Sequence, residues 1–210
     1  MVVFSQAQAE TVVLTMAKVA IDNEQWFSEL DGVMGDGDFG TSLATGFRAV
    51  LAGWDEFDKS SIGATLLKCA TAITANVGGC SGPVWGTLFM RMGMKLRGKT
   101  EATLEEVIEG LKSAIEGIMQ RGGAKLGDKT LLDALDAIVK SNEASLAAGD
   151  DMATTLKKAA DAAYEMREIS KPWVAMRGRQ SFTGERSAGT YDPGIVAVGE
   201  MMKAIAAALQ

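Results

Sequence analysis

The chain has 210 residues, 47% of them hydrophobic and 23% charged, with a formal net charge of −6. That is enough apolar material for a well-buried globular core, and too much for a disordered chain. With no histidine and only two cysteines, imidazole catalysis, His-ligated zinc and thiolate zinc cages are excluded. The acidic balance offers no basic footprint for nucleic acid.

The first residues, Met1-Val2-Val3-Phe4, turn polar at Gln6 and Gln8 and so make no signal-peptide apolar region. No apolar run reaches the roughly 18 residues of a membrane span. A cytoplasmic protein with no membrane partner is the expectation. Apolar residues then recur every three or four positions and prolines number only three, which predicts an all-α fold. Helices are expected over about 5–29, 41–53, 61–76 and 83–97. The next starts at Thr103, whose spacing to Glu106 is that of a capping box, and runs through Met119 on one apolar face. Another carries Leu131, Leu132, Leu135, Ile138 and Val139 behind an Asp128 cap, and one covers 151–170. The last opens with Asp192 as N-cap and Pro193 at the first helical position. This makes eight helices, no strand, and one domain spanning 1–210.

The connections are unequal. Links one, three, five and seven are the glycine-rich stretches 30–40, 78–83 and 121–128 and the long polar segment 171–192. Links two, four and six are short and ordinary. In an up-down bundle, odd-numbered links share one end. The unusual loops should therefore converge on one rim, where loops held by a rigid scaffold commonly carry function.

Asp31, Asp36 and Asp38 lie within eight residues, interleaved with Gly32, Gly35, Gly37 and Gly40. Three carboxylates this close repel one another. A hard divalent cation relieves that cost, and oxygen ligands without His or Cys suit magnesium, calcium or manganese. The plainer alternative is a solvated acidic turn with aspartate caps. An EF-hand is excluded because the twelfth position from Asp36 is Phe47. Gly35, Gly37 and Gly40 also spell G-x-G-x-x-G, but no strand precedes them and the aspartates would repel a pyrophosphate, so a dinucleotide fold is rejected. Gly78-Gly79-Cys80-Ser81-Gly82 runs into a helix start, where backbone N–H groups can approach an anion. A tight turn between packed helices is the competing reading. Arg177, Arg179 and Arg186 bring cations to the 171–192 loop, either to hold phosphate or to pair with surface acids such as Glu185.

Taken together and in this order, Gly35-Asp36-Gly37-Asp38, Gly78 to Pro83, Gly127-Asp128-Lys129-Thr130 with Asp133, and Gly178-Arg179 through Gly184-Glu185-Arg186-Ser187 to Asp192-Pro193-Gly194 resemble the L subunits of two-subunit dihydroxyacetone kinases. The resemblance implies an eight-helix antiparallel up-down barrel with ADP or ATP and two Mg2+ ions at one rim. It assigns the metals to Asp31, Asp36 and Asp38. Nucleotide contacts would fall on Phe39, Gly40, Thr41, Ser42, Cys80, Ser81, Gly122, Leu131, Arg179 and Asp192-Pro193-Gly194, and Arg179 would stabilise the transferring phosphoryl group. It also implies a K-type partner that holds the sugar. The donor is either ATP exchanged in solution or a phosphotransferase-system protein that rephosphorylates ADP in place. The family commonly has histidine, asparagine and alanine where this chain has Phe39, Ser42 and Cys80, so one phosphate donor is missing and other short ketoses such as erythrulose are admissible. A non-catalytic nucleotide-binding scaffold and a stand-alone metal-dependent phosphohydrolase are the alternatives.

Overall fold

In the computed structural model, which describes residues 2–210, the chain opens with a short strand, β1 (Val3–Ser5). It pairs antiparallel with β2 (Glu101–Thr103), Phe4 opposite Ala102. Among the described residues there are nine α-helices, α1 (Gln6–Asp22), α2 (Glu24–Gly32), α3 (Phe39–Ala52), α4 (Ile62–Asn76), α5 (Ser81–Lys95), α6 (Leu104–Gly122), α7 (Leu131–Ala148), α8 (Met152–Ser170) and α9 (Pro193–Ala208), with 3-10 turns over Trp54–Glu56 and Arg179–Ser187.

The expected all-α architecture holds, with three corrections. The first helix breaks at Asn23, whose backbone leaves helical geometry at φ −106° and ψ 14° while its side-chain amide donates to the Val19 carbonyl at 2.9 Å. α1 and α2 are therefore two rods, and eight becomes nine. The small ribbon was not expected, because its two strands lie about a hundred residues apart in the chain and each is too short to show a period-2 pattern. The cap of α7 is Thr130 rather than Asp128: Thr130 accepts from Leu132 N–H, and Asp133 reaches back to the Thr130 N–H at 2.8 Å.

The helices from α3 to α9 each pack against the next, and α1 packs against both α3 and α9. The ring is closed. Its seams are filled by side chains at helical spacing, such as Ile108, Ile115 and Ile118 of α6. On the α3–α5 side Phe47 meets Trp85 and Phe89 edge-on, ring centres 6.2 and 6.0 Å apart. Between the walls lies an apolar cavity of about 210 Å³ lined by Val13, Leu66, Leu88, Ile138 and Val198 among others. The ribbon and the links near 54–60 and 149–151 close one rim. The four long links meet at the other.

Candidate functional site

Asp31 occupies the last turn of α2 and is buried at 7% exposure. Its Oδ2 accepts from the backbone N–H of Asp38 at 3.1 Å and of Phe39 at 3.4 Å, which folds the link back onto α2. The turn depends on glycine. A Cβ at Gly35 would overlap the Asp31 carboxylate, and one at Gly40 would overlap the Glu24 carbonyl and Ser28. The result is that carboxylate oxygens of Asp31, Asp36 and Asp38 all lie within 4.8 Å of one another. Burial pushes the Asp31 carboxyl up from its ordinary value and the neighbouring Asp36 charge adds to the rise, against the hydrogen bonds from the loop N–H groups. Hard oxygen donors crowded at this spacing, with glycine where a side chain would fill the cradle, fit a divalent cation.

Asp38 stands at the N-cap of α3 but makes no side-chain cap bond. Its carboxylate faces the acidic cluster instead. Two first-turn N–H groups of α3 are met from α2: Phe39 donates to Asp31 and Thr41 donates to Ser28 Oγ at 3.2 Å. Ser28 had no signal in the sequence. The Phe39 ring packs edge-on against Phe27, centroids 6.3 Å apart. That contact anchors the loop to α2.

α5 starts at Ser81, two residues earlier than expected, behind an exposed Cys80 that offers no side-chain cap. Pro83 has no N–H, so this N-terminus presents the unpaired N–H groups of Ser81 and Gly82. Around Gly78 and Gly79 nothing lies within 4 Å of where a Cβ would stand. Ser42 of α3 and Ser81 of α5 border one packed seam with Val77 and Trp85, so the two helix starts are neighbours.

α6 ends at Gly122, and Gly123 takes the left-handed cap conformation at φ 63°. Leu131, the first residue of α7, lies against Gly194, whose Cβ would stand 3.3 Å from that of Leu131. Asp192 caps α9 by accepting from Ile195 N–H at 2.8 Å. Burial pushes its carboxyl up to about 7; Asp133 adds to the rise and Lys129 opposes it.

The 171–192 segment lies across this rim. Arg179 Nε is 3.0 Å from Asp36 Oδ2. Arg177 pairs with Asp128 at 3.0 Å and also donates to the Gly123 carbonyl. The structure thus brings Arg179 to the acidic cluster, groups Ser42 with Ser81, and groups Leu131 with Asp192 and Gly194. Cys69 is buried away from this rim, where burial raises its thiol to about 12.

The class defined by the structure is a closed helical barrel with a carboxylate cluster, an arginine and two helix starts without an N-cap side-chain bond on one rim. Residues 33–207 match the DAK2 domain, and the chain belongs to that family. It is 32% identical over 184 residues to the ADP-binding subunit DhaL of the PEP-dependent dihydroxyacetone kinase of Escherichia coli, covering 88% of each chain. It is 34% identical over 187 residues to a DhaL subunit of Listeria innocua, covering 87% of this chain and 85% of the relative. An L-erythrulose 1-kinase of Mycolicibacterium smegmatis is 34% identical over 201 residues, of which the chain spans 34%. Among solved structures it is similar to the dihydroxyacetone kinase of C. freundii in complex with AMP-PNP and Mg2+. There the TM-score is 0.72 at 25% identity, over 96% of this chain and 34% of that one. The resemblance to the L subunits, drawn from the loop motifs, is borne out.

Proposed function

We propose that this chain is the nucleotide- and Mg2+-binding subunit of a two-subunit kinase acting on dihydroxyacetone or a related short ketose such as erythrulose. The carrying observation is that the convergent Asp31, Asp36 and Asp38 carboxylates share a rim with the α3 and α5 starts, which no N-cap side chain covers.

In this reading the three aspartates hold two Mg2+ ions, which when bound neutralise phosphate charge. The N–H groups of Gly40, Ser81 and Gly82 and the hydroxyls of Thr41, Ser42 and Ser81 receive phosphate oxygens at the positive ends of α3 and α5. Phe39 supplies loop rigidity, and Cys80 lies along the phosphates. Gly122, Leu131 and Asp192-Pro193-Gly194 border the rest of the nucleotide. Arg179, already beside Asp36, turns its guanidinium to the transferring group and stabilises charge that spreads over its oxygens.

No histidine is present to deprotonate a sugar hydroxyl. The base and the ketose pocket belong to a K-type partner, docked on the rim that exposes Val33, Leu126, Met176 and Phe182, the last 85% exposed. The E. coli and L. innocua relatives are described as PEP-dependent, which supports an ADP that stays bound and is rephosphorylated by a phosphotransferase-system protein.

The purified chain should phosphorylate neither ketose alone and should do so once a K-type subunit and a phosphoryl donor are supplied. Mg·ADP binding without turnover in that mixture would instead favour a scaffold, and ATP hydrolysis without the partner a phosphohydrolase. Near-stoichiometric ADP in the purified protein identifies the retained-nucleotide mode; nucleotide-free protein that turns over with ATP identifies exchange.

A further inference from the structure

Lys129 is a lysine in an unusual place. It is 1% exposed, and it holds φ 61°, the left-handed region that residues other than glycine, asparagine and aspartate rarely adopt. That backbone choice turns its side chain inward. Its Nζ donates to three backbone carbonyls, those of Lys171 at 3.2 Å, Trp173 at 3.0 Å and Ser187 at 2.7 Å. An ammonium has three donors, and all three are used.

The three acceptors bracket one segment. Lys171 and Trp173 lie where the chain leaves α8, and Ser187 lies where it returns toward α9. Further bonds close the same neck: Gly189 N–H to the Lys171 carbonyl at 2.8 Å and Ala175 N–H to Ser187 Oγ at 2.8 Å. Residues 174–186 therefore form a loop whose ends are pinched together, with a cation from another element at the pinch. That loop carries Arg177, Arg179 and Arg186. Burial pulls the Lys129 ammonium below the ordinary lysine range, and Asp192, at the foot of α9, opposes the fall. The Lys171 carbonyl also accepts from Gly189 N–H and the Ser187 carbonyl from Thr190, whereas that of Trp173 has Lys129 alone. A carbonyl is costly to bury unpaired, so the ammonium completes this neck and ties both its sides to the start of α7.

We infer that Lys129 is a positioning residue: its ammonium sets the 174–186 loop in the form that carries Arg179 to Asp36 and the nucleotide phosphates. The inference rests on the reading of the rim as a nucleotide site, and its test separates the two.

Lys129→Ala leaves a channel matching n-propylammonium, which replaces the three lost methylenes and the charged head. In the ligand-free variant, amides of 174–186 should exchange at least tenfold faster, while α4, α5 and α6 keep wild-type protection. The Kd for ADP with Mg2+ should rise at least tenfold. Added n-propylammonium should restore both, and neutral n-propanol neither. Unchanged loop exchange would overturn the inference. So would loosening spread over the whole barrel and indifferent to the amine, which would make Lys129 a general stability residue. A loosened loop with wild-type ADP affinity would overturn the positioning role too. Should wild-type protein fail to bind Mg·ADP, the nucleotide reading itself falls, and the exchange data then leave Lys129 as a loop clasp without a role toward phosphate.

Discussion

Four helices start at each rim of the barrel, and the two sets are finished differently. At the closing rim α1, α4, α6 and α8 all begin behind a capping side chain: Ser5, Ser61, Thr103 and Asp151. Ser5 with Gln8 and Thr103 with Glu106 make full capping boxes. At the opposite rim α7 and α9 are capped by Thr130 and Asp192, but α3 and α5 are not capped by Asp38 or Cys80. Positive-φ positions divide the same way. Gly98 and Gly149 serve the closing rim, whereas Gly37, Gly79, Gly123, Gly127, Lys129, Gly178, Gly184 and Gly189 serve the other. One rim satisfies its own backbone. The other keeps three carboxylates crowded and leaves the starts of α3 and α5 without an N-cap side-chain bond, with Arg179 beside Asp36 as the compensating charge.

The largest expected break in that contrast is Asp36→Asn. It removes a carboxylate from the cluster and the partner of Arg179, and an amide oxygen is a weaker ligand for a hard cation. Calorimetry should show Mg2+-dependent ADP affinity falling at least a hundredfold. The ligand-free melting temperature should stay put or rise slightly, since three neighbouring carboxylates repel. An unchanged affinity would remove the metal assignment.

Asp192 gives the open rim a pH signature. Its folded pKa, about 7, is raised above the ordinary value of 3.8 by burial first, with Asp133 adding and Lys129 opposing. Between those values the folded state holds a proton that the unfolded chain has released. Stability of the ligand-free protein should thus be fullest near pH 4 as far as this group is concerned. It should fall as pH rises toward 7, by at most about 1.4 kcal/mol per pH unit for one proton. Asp192→Asn keeps an acceptor for Ile195 N–H and should flatten that slope in denaturant titrations across the window. An equal slope in the variant would mean the carboxyl titrates normally.

The smallest effect belongs to the closing rim. Thr103→Ala removes the side-chain half of the α6 capping box and should cost about 1 kcal/mol of stability, read from the shift in denaturation midpoint. Mg·ADP affinity should be unaffected. A binding defect there would show that the rims are not independent.

What the sequence showed of this contrast follows from the range of the interactions. The α6 box and its apolar face are local, three and four residues apart, and both were legible. So was the acidic cluster, because Asp31, Asp36 and Asp38 converge within one turn of chain. The break at Asn23 was not legible, since the apolar pattern continues through it and only the Asn23 side chain turning to the Val19 carbonyl marks it. The ribbon was hidden because Phe4 finds Ala102 only after the barrel closes. Lys129 was visible as part of the Gly127-Asp128-Lys129-Thr130 motif, but its burial was not, because its three acceptors come from residues 42 to 58 positions away. Phe39, likewise, was visible as a departure from the family pattern, but its packing on Phe27 needed the fold.

On the proposed reading, one rim is a metal–nucleotide site and the other is not. Amide hydrogen exchange with and without Mg·ADP tests it most directly. Protection should rise in 31–42, 78–84, 121–131 and 177–194, an effect abolished by chelating the metal, and should not change at Ser5–Gln8, Ser61–Ala64, Thr103–Glu106 or Asp151–Thr154. Protection at those closing-rim starts, or none at the open rim under saturating Mg·ADP, would contradict it.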